Sequence, residues 1–209
     1  MNRIARLRYL ATTLLIGASL IASQAFARQQ PLQITVFVHQ DVTESVESIQ
    51  QNYLAHWEKA MSDISDREVV FDFVTQANDI TTLQYQNEDA SVPLKDVDRR
   101  FSHYYQANRK AGHGALHKGV LITQRPINGQ VDGIAHMKGD IAIASLASYT
   151  VPGHELGHLF GATHENATGG WTSTCDSYMV TYRNPFKRHC YSFSDANQNA
   201  IGEHLIQYP

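Results

Sequence analysis

The chain has 209 residues, with 17 Lys and Arg against 20 Asp and Glu and a formal net charge of −3. That balance offers no electrostatic case for binding nucleic acid or an anionic membrane surface. The length suits one domain with a core that needs no staples.

The first segment is a processing signal rather than part of a fold. Arg3, Arg6 and Arg8 precede an apolar stretch from Leu10 to Ile21, and Ala25-Phe26-Ala27 places small residues where a signal peptidase reads them. The stretch is shorter than the roughly 20 residues that span a bilayer, so residues 1–27 are expected to be a signal peptide and the chain to be exported, to a periplasm or beyond the cell. Residues 28–209 then form one domain whose net charge moves from −3 to −6, because three Arg and no acid leave with the signal. No second apolar stretch approaches membrane-spanning length.

Gln33 to Val38 is rich in β-branched and aromatic residues and predicts a buried strand. From Ser45 to Met61, Val46, Ile49, Tyr53, Leu54, Trp57 and Met61 recur at helical spacing, with Glu44 and Glu47 at the end that favours acids. Val69 to Val74 is a second strand. Leu94 to Ala111 returns to helical spacing through Val97, Phe101, Tyr104 and Tyr105, with Gly112 as its stop. Gly119 to Thr123 is a third strand. A turn-rich excursion from Gln124 to Asp132 leads to two short extended pieces, Gly133 to Met137 and Asp140 to Ala144. A last helical stripe, Ala200, Ile201 and Leu205, closes the chain. The alternation of strands and helices predicts an α/β (α+β) fold, a twisted sheet with helices packed against it.

Two cysteines, Cys175 and Cys190, lie near the C-terminus, and neither belongs to a CxxC pair. In an exported chain they predict one disulfide, contributing about 3 kcal/mol by the chain-entropy model.

The chemistry lies in His154-Glu155-Leu-Gly-His158-Leu-Phe-Gly161-Ala-Thr-His164. Residues four apart share a helix face, so His154 and His158 can point at one ion. Imidazole nitrogens suit Zn²⁺, and a catalytic site leaves one position for water. Glu155, beside the first ligand, is placed to take that water's proton. His164 is six residues past His158 and cannot share the face, so the helix must stop and reverse, and Gly161 tolerates the left-handed backbone this requires. His113 and His117 are also four apart, but Gly112 and Gly114 work against a helix between them.

These residues resemble the HExxHxxGxxH pattern of the metzincin zinc metallopeptidases. Met179, 15 residues after His164, resembles that family's Met-turn beneath the metal. The resemblance is specific over His154 to Met179 and architectural before it. Cysteines flanking the Met-turn and Phe193-Ser194 after Cys190 are most similar to the adamalysin (reprolysin) branch, although Glu165 stands where that branch carries Asp. Thr181 occupies the position two after the turn Met where astacins carry Tyr, and Tyr182 is one place further on.

The resemblance implies a metzincin-like zincin fold. Its sheet would be mostly parallel with an antiparallel edge strand, and an active-site helix would divide an upper part, residues 28–161, from a small lower part, residues 162–209. It also implies one catalytic Zn²⁺ and a protein or peptide substrate in extended conformation; the chain is expected to be a monomer. The substrate would pair with the edge strand near Gly133, Ile134, Ala135 and His136. Thr181 to Arg188, including Tyr182 and Phe186, would wall the pocket after the cleaved bond, where Arg183, Lys187 and Arg188 suggest a preference for acidic or polar side chains. Two other readings share the same donors: a zinc-binding module without turnover, and a zinc amidase acting on cell-wall peptides.

Overall fold

The computed structural model describes residues 29–108, 114–169, 174–181 and 186–208. The signal segment, the Gly112 stop, His113 and Tyr182 lie outside them.

Strand β1 (Leu32–Val38) is buried at every position but Gln33, as befits a central parallel strand covered on both faces. β2 (Val69–Val74) and β3 (His117–Thr123) flank it in parallel, with Ile34 opposite Phe71 and Lys118. β5 (Ile141–Ser145) continues the parallel run beside β3. β4 (Gly133–Ala135) pairs antiparallel with β5, giving the order β2-β1-β3-β5-β4 with β4 at the edge. The predicted class is therefore found, including the reversed edge strand.

The first helical stretch is longer than its stripe suggested. It starts at α1 (Val46–Ile49), where the Ser45 hydroxyl accepts from the Ser48 amide. A π-helical turn (Gln50–Leu54) follows, and α2 (Ala55–Ser65) ends at Asp66 in a left-handed conformation. α4 (Ser91–Ala107) follows a short α3 (Asn78–Thr81) that the sequence pattern did not reveal. β3 begins two residues earlier than its apolar run, and β4 stops at Ala135 because His136 to Gly139 form a tight turn closed by the Gly139 amide on the His136 carbonyl.

Alternation along the strands separates two cores. Phe37, Leu121, Ile141 and Ile143 meet Leu94, Val97, Phe101 and Tyr105 of α4 on one face. Ile34, Val36, Val120 and Ile122 meet Trp57 and Met61 on the other, together with α5 (Val151–Leu159) and α6 (Asp195–Leu205). The lower part adds β6 (Cys175–Asp176) and β7 (Arg188–His189), a parallel pair beside the Cys175–Cys190 disulfide. No helix among the described residues is long and apolar enough to cross a membrane.

A polar bolt fastens the carboxyl ends of β1 and β3. The Asp41 carboxylate accepts from His39 Nδ1 at 2.6 Å, from the Tyr85 hydroxyl at 2.5 Å and from the Gln124 amide at 3.2 Å. Burial alone would raise the Asp41 carboxyl, but these bonds outweigh it and hold the group below its ordinary range. A lowered acid contributes stability above the unfolded value near 4 and loses it as pH falls further. Asp41→Asn is therefore expected to cost about 1–3 kcal/mol at pH 7 in urea unfolding. Its difference from the wild type should shrink below about pH 4.

Candidate metal centre

Helix α5 carries His154, Glu155 and His158, and its Pro152 sits in the first turn, where no amide donor is needed. The helix ends as the sequence required. Gly161 has φ +95°; its amide bonds the His158 carbonyl at 3.1 Å, and the Ala162 amide bonds that of Gly157 at 3.0 Å. This paired closure reverses the chain within two residues. The buried Asn197 of α6 then grips the next backbone, its Oδ1 accepting from the Thr163 amide at 2.8 Å and its Nδ2 donating to the Thr163 carbonyl at 3.0 Å. His164 follows immediately.

The three histidines converge. His164 Nε2 lies 3.0 Å from Nε2 of both His154 and His158, and one donor atom from each falls within 4.8 Å of the others. Two tautomers are set by the backbone: His154 Nδ1–H donates to the Tyr178 carbonyl at 2.7 Å, and His158 Nδ1–H to that of Ala162 at 2.9 Å. Both Nε2 atoms therefore aim lone pairs at the same point. Burial pulls the His154 imidazole down to about 4 and lowers His158 as well, which keeps both neutral. Neutral, converging, carbonyl-oriented imidazoles are the donor set a zinc-like cation takes. No other described group of three His, Cys, Asp or Glu meets the same spacing.

Glu155 is only 6% exposed, and burial, aided by the charge of Asp132, pushes its carboxyl up to about 8. A carboxyl near that value can accept and return a proton around neutral pH. Beneath the helix, Ser177 to Val180 form a tight turn with Met179 fully buried. Gly157 has no side chain where the Met179 sulfur would stand 2.9 Å from an added Cβ.

A cleft of about 430 Å³ opens over these residues. Gly133, Ile134 and Ala135 form part of its wall, whereas His136 is exposed outside it. Phe186 is 96% exposed and does not line the cleft either, nor do Lys187 and Arg188. Tyr182 and Arg183 fall outside the described residues. His117 is engaged away from the cleft, bonded to Tyr105 and Thr35. Sequence reasoning missed Asp132, Ser148, Tyr178 and His189 in the lining, and Asn197 behind His164. Only Asn197 left a signal, a polar residue on an otherwise core-facing helical stripe.

The fold is similar to that of metalloproteinase-II from Bacteroides fragilis, with 16% identity, a TM-score of 0.59 and coverage of 86% of this chain. The chain spans 55%, about half, of that structure's length. A weaker likeness, TM-score 0.44 at 19% identity, relates 80% of the chain to 99% of a zinc-dependent peptidase from Methanocorpusculum labreanum. No family model and no curated protein matches the sequence.

Because Asn197 holds the backbone beside His164, it should govern metal affinity as well as stability. Asn197→Ala leaves two backbone groups without their partner. It is expected to cost about 1–3 kcal/mol in unfolding of the metal-free protein and to weaken zinc binding about tenfold or more by competition titration. Unchanged zinc affinity would show that His164 is held by the turn alone.

Proposed function

We propose that the chain is a zinc-dependent peptidase. The observation that carries this reading is the convergence of three imidazoles beside a buried carboxylate, under a strand with an unpaired edge. More narrowly, we assign it to the metzincin type, leaning to the adamalysin-like branch, as an exported metalloendopeptidase. Its signal peptide would end at Ala27 and its single catalytic domain would run from residue 28 to 209.

His154, His158 and His164 would hold one Zn²⁺, and Met179 would seat the helix that carries two of them. Bound there, zinc would lower the pKa of water and polarise the scissile carbonyl. Glu155 takes a proton from the attacking water and returns it to the departing amine, a role its buried, raised carboxyl suits. Among the described residues β4 pairs with β5 alone, and Gly133, Ile134 and Ala135 line the cleft. An extended peptide can add there as a further strand. Gly133, Ile134 and Ala135 supply that edge.

The expected results are about one zinc per mature chain and cleavage of unfolded casein that a chelator stops. Glu155→Gln should keep the metal and lose about 10²–10⁴ or more in rate. A Gln variant with undiminished function would favour a binding module. Casein left intact while cell-wall peptides are cut would favour an amidase.

The cleft also bears on specificity. Its described lining contains the carboxylates Asp132 and Glu155 and no Lys or Arg. The acidic or polar preference rests on Arg183, Lys187 and Arg188. Lys187 and Arg188 lie outside the lining and Arg183 outside the described residues, so Asp132 is the charged side chain of the described lining that favours basic substrates. A peptide library should show Lys or Arg preferred over Asp or Glu near the cleaved bond by up to about tenfold in kcat/KM. Asp132→Asn should reduce that preference, and equal cleavage of acidic and basic peptides would exclude it.

A further inference from the structure

The edge strand and the active-site helix approach most closely at one point. A Cβ added to Gly133 would lie 2.7 Å from Glu155 Cγ, 2.8 Å from its Oε1 and 3.0 Å from its Cδ. Such distances fall inside van der Waals contact, so a side chain there and the present position of the carboxylate exclude one another. Gly133 is not in the left-handed region that only glycine favours, since among the described glycines Gly161 alone has positive φ. What the position demands is an absence of volume.

Neither backbone is free to withdraw. Gly133 sits opposite Ala144 in the β4–β5 ladder, and the Ser145 amide bonds the Asp132 carbonyl at 3.0 Å. Glu155 stands on α5 between His154 and His158, both anchored by carbonyl bonds. The part that can yield is the Glu155 side chain beyond Cβ, whose rotation carries Cγ and with it the carboxylate assigned as the base.

We propose that Gly133 is a positioning residue for Glu155: the bare backbone of the edge strand forms the wall that fixes where the carboxylate stands. Gly133 thus acts through Glu155 in addition to offering an edge to substrate, and the inference rests on the reading of Glu155 as the base. It explains why a strand wall and a catalytic helix can come this close without a side chain between them. Any residue larger than glycine would rotate the carboxylate away while leaving the fold and the metal donors in place.

The test is Gly133→Ala in the mature, zinc-loaded chain. Zinc content and thermal midpoint should match the wild type, KM should change little, and kcat should fall about 10²-fold, as misplacement of a catalytic group by about 1 Å can produce. In a Glu155→Gln background the same substitution should cause no further loss. A crystal structure of the metal-free Gly133→Ala variant should show the Glu155 carboxylate displaced. Wild-type kcat, or an equal loss in the Glu155→Gln background, would overturn the proposal, the second because the effect would then run through the substrate strand. Should Glu155→Gln itself remain active, the assignment of the base fails, and the variant's crystal structure still decides the steric claim. If Gly133→Ala does not fold, pairing it with Glu155→Ala, which removes Cγ and the carboxylate together, restores folding only if this side chain is what the methyl strikes.

Discussion

Two imidazoles four residues apart on a helix can meet at one point, but a third on the same helix cannot join them, and much of the architecture answers that constraint. The helix has to stop, the chain has to reverse, and the reversal has to be held rigidly. Gly161 supplies the left-handed residue, and the closing bonds on Gly157 and His158 use carbonyls that a helix end leaves free. Asn197 then ties the returning strand to α6, which packs on α2 and so on the main core. The turn at Met179 performs two tasks, since it fills the space beside Gly157 and the carbonyl just before it orients His154.

The same packing sets the electrostatics. His154, Glu155 and His158 are partly or largely buried, and burial disfavours charge on each of them. For the imidazoles this is the state a cation needs, with lone pairs available and no proton to displace. For the carboxyl it stores a tendency to hold a proton. Buried polar groups of this kind cost stability unless they are bonded, and here the carbonyls of Tyr178 and Ala162 offset the cost for the histidines. Of the two apolar cores on either side of the sheet, one includes Leu156 and Leu159 of the helix that carries the donors together with Met179, so the site is seated directly on the core.

The fold and the metal donors were legible in the sequence for different reasons. β1 and β3 announce themselves because a central parallel strand is buried on both faces and reads as an unbroken apolar run. α3 was missed because four residues make too short a stripe, and β6 and β7 because two-residue strands carry no period at all. The first helix ran past Met61 to Ser65 because its stop, the left-handed Asp66, is not the glycine that marks such an end in a sequence. The donors are legible because their spacing is local. The cleft lining is not, since Asp132, Tyr178 and His189 meet only through the tertiary fold. The close approach of Gly133 to Glu155, 22 residues apart, likewise has no local trace, and a glycine at a strand start reads simply as a turn ending.

An open sheet edge is ordinarily a hazard, because unpaired main-chain groups recruit other chains. β4 limits that hazard by being three residues long and by lying between the exposed, charged Asp132 and Lys138. So short an edge can make only a few main-chain bonds with an incoming strand, each with a modest net contribution. Pairing of this kind orders a peptide without holding it tightly. On the proposed reading, discrimination between peptides would come from side-chain contacts in the cleft, where the lower part of the chain, after His164, provides one wall. If β4 is the substrate-binding edge proposed above, so short a strand leaves specificity to the part of the cleft wall formed by Tyr178, Val180, Thr181 and His189.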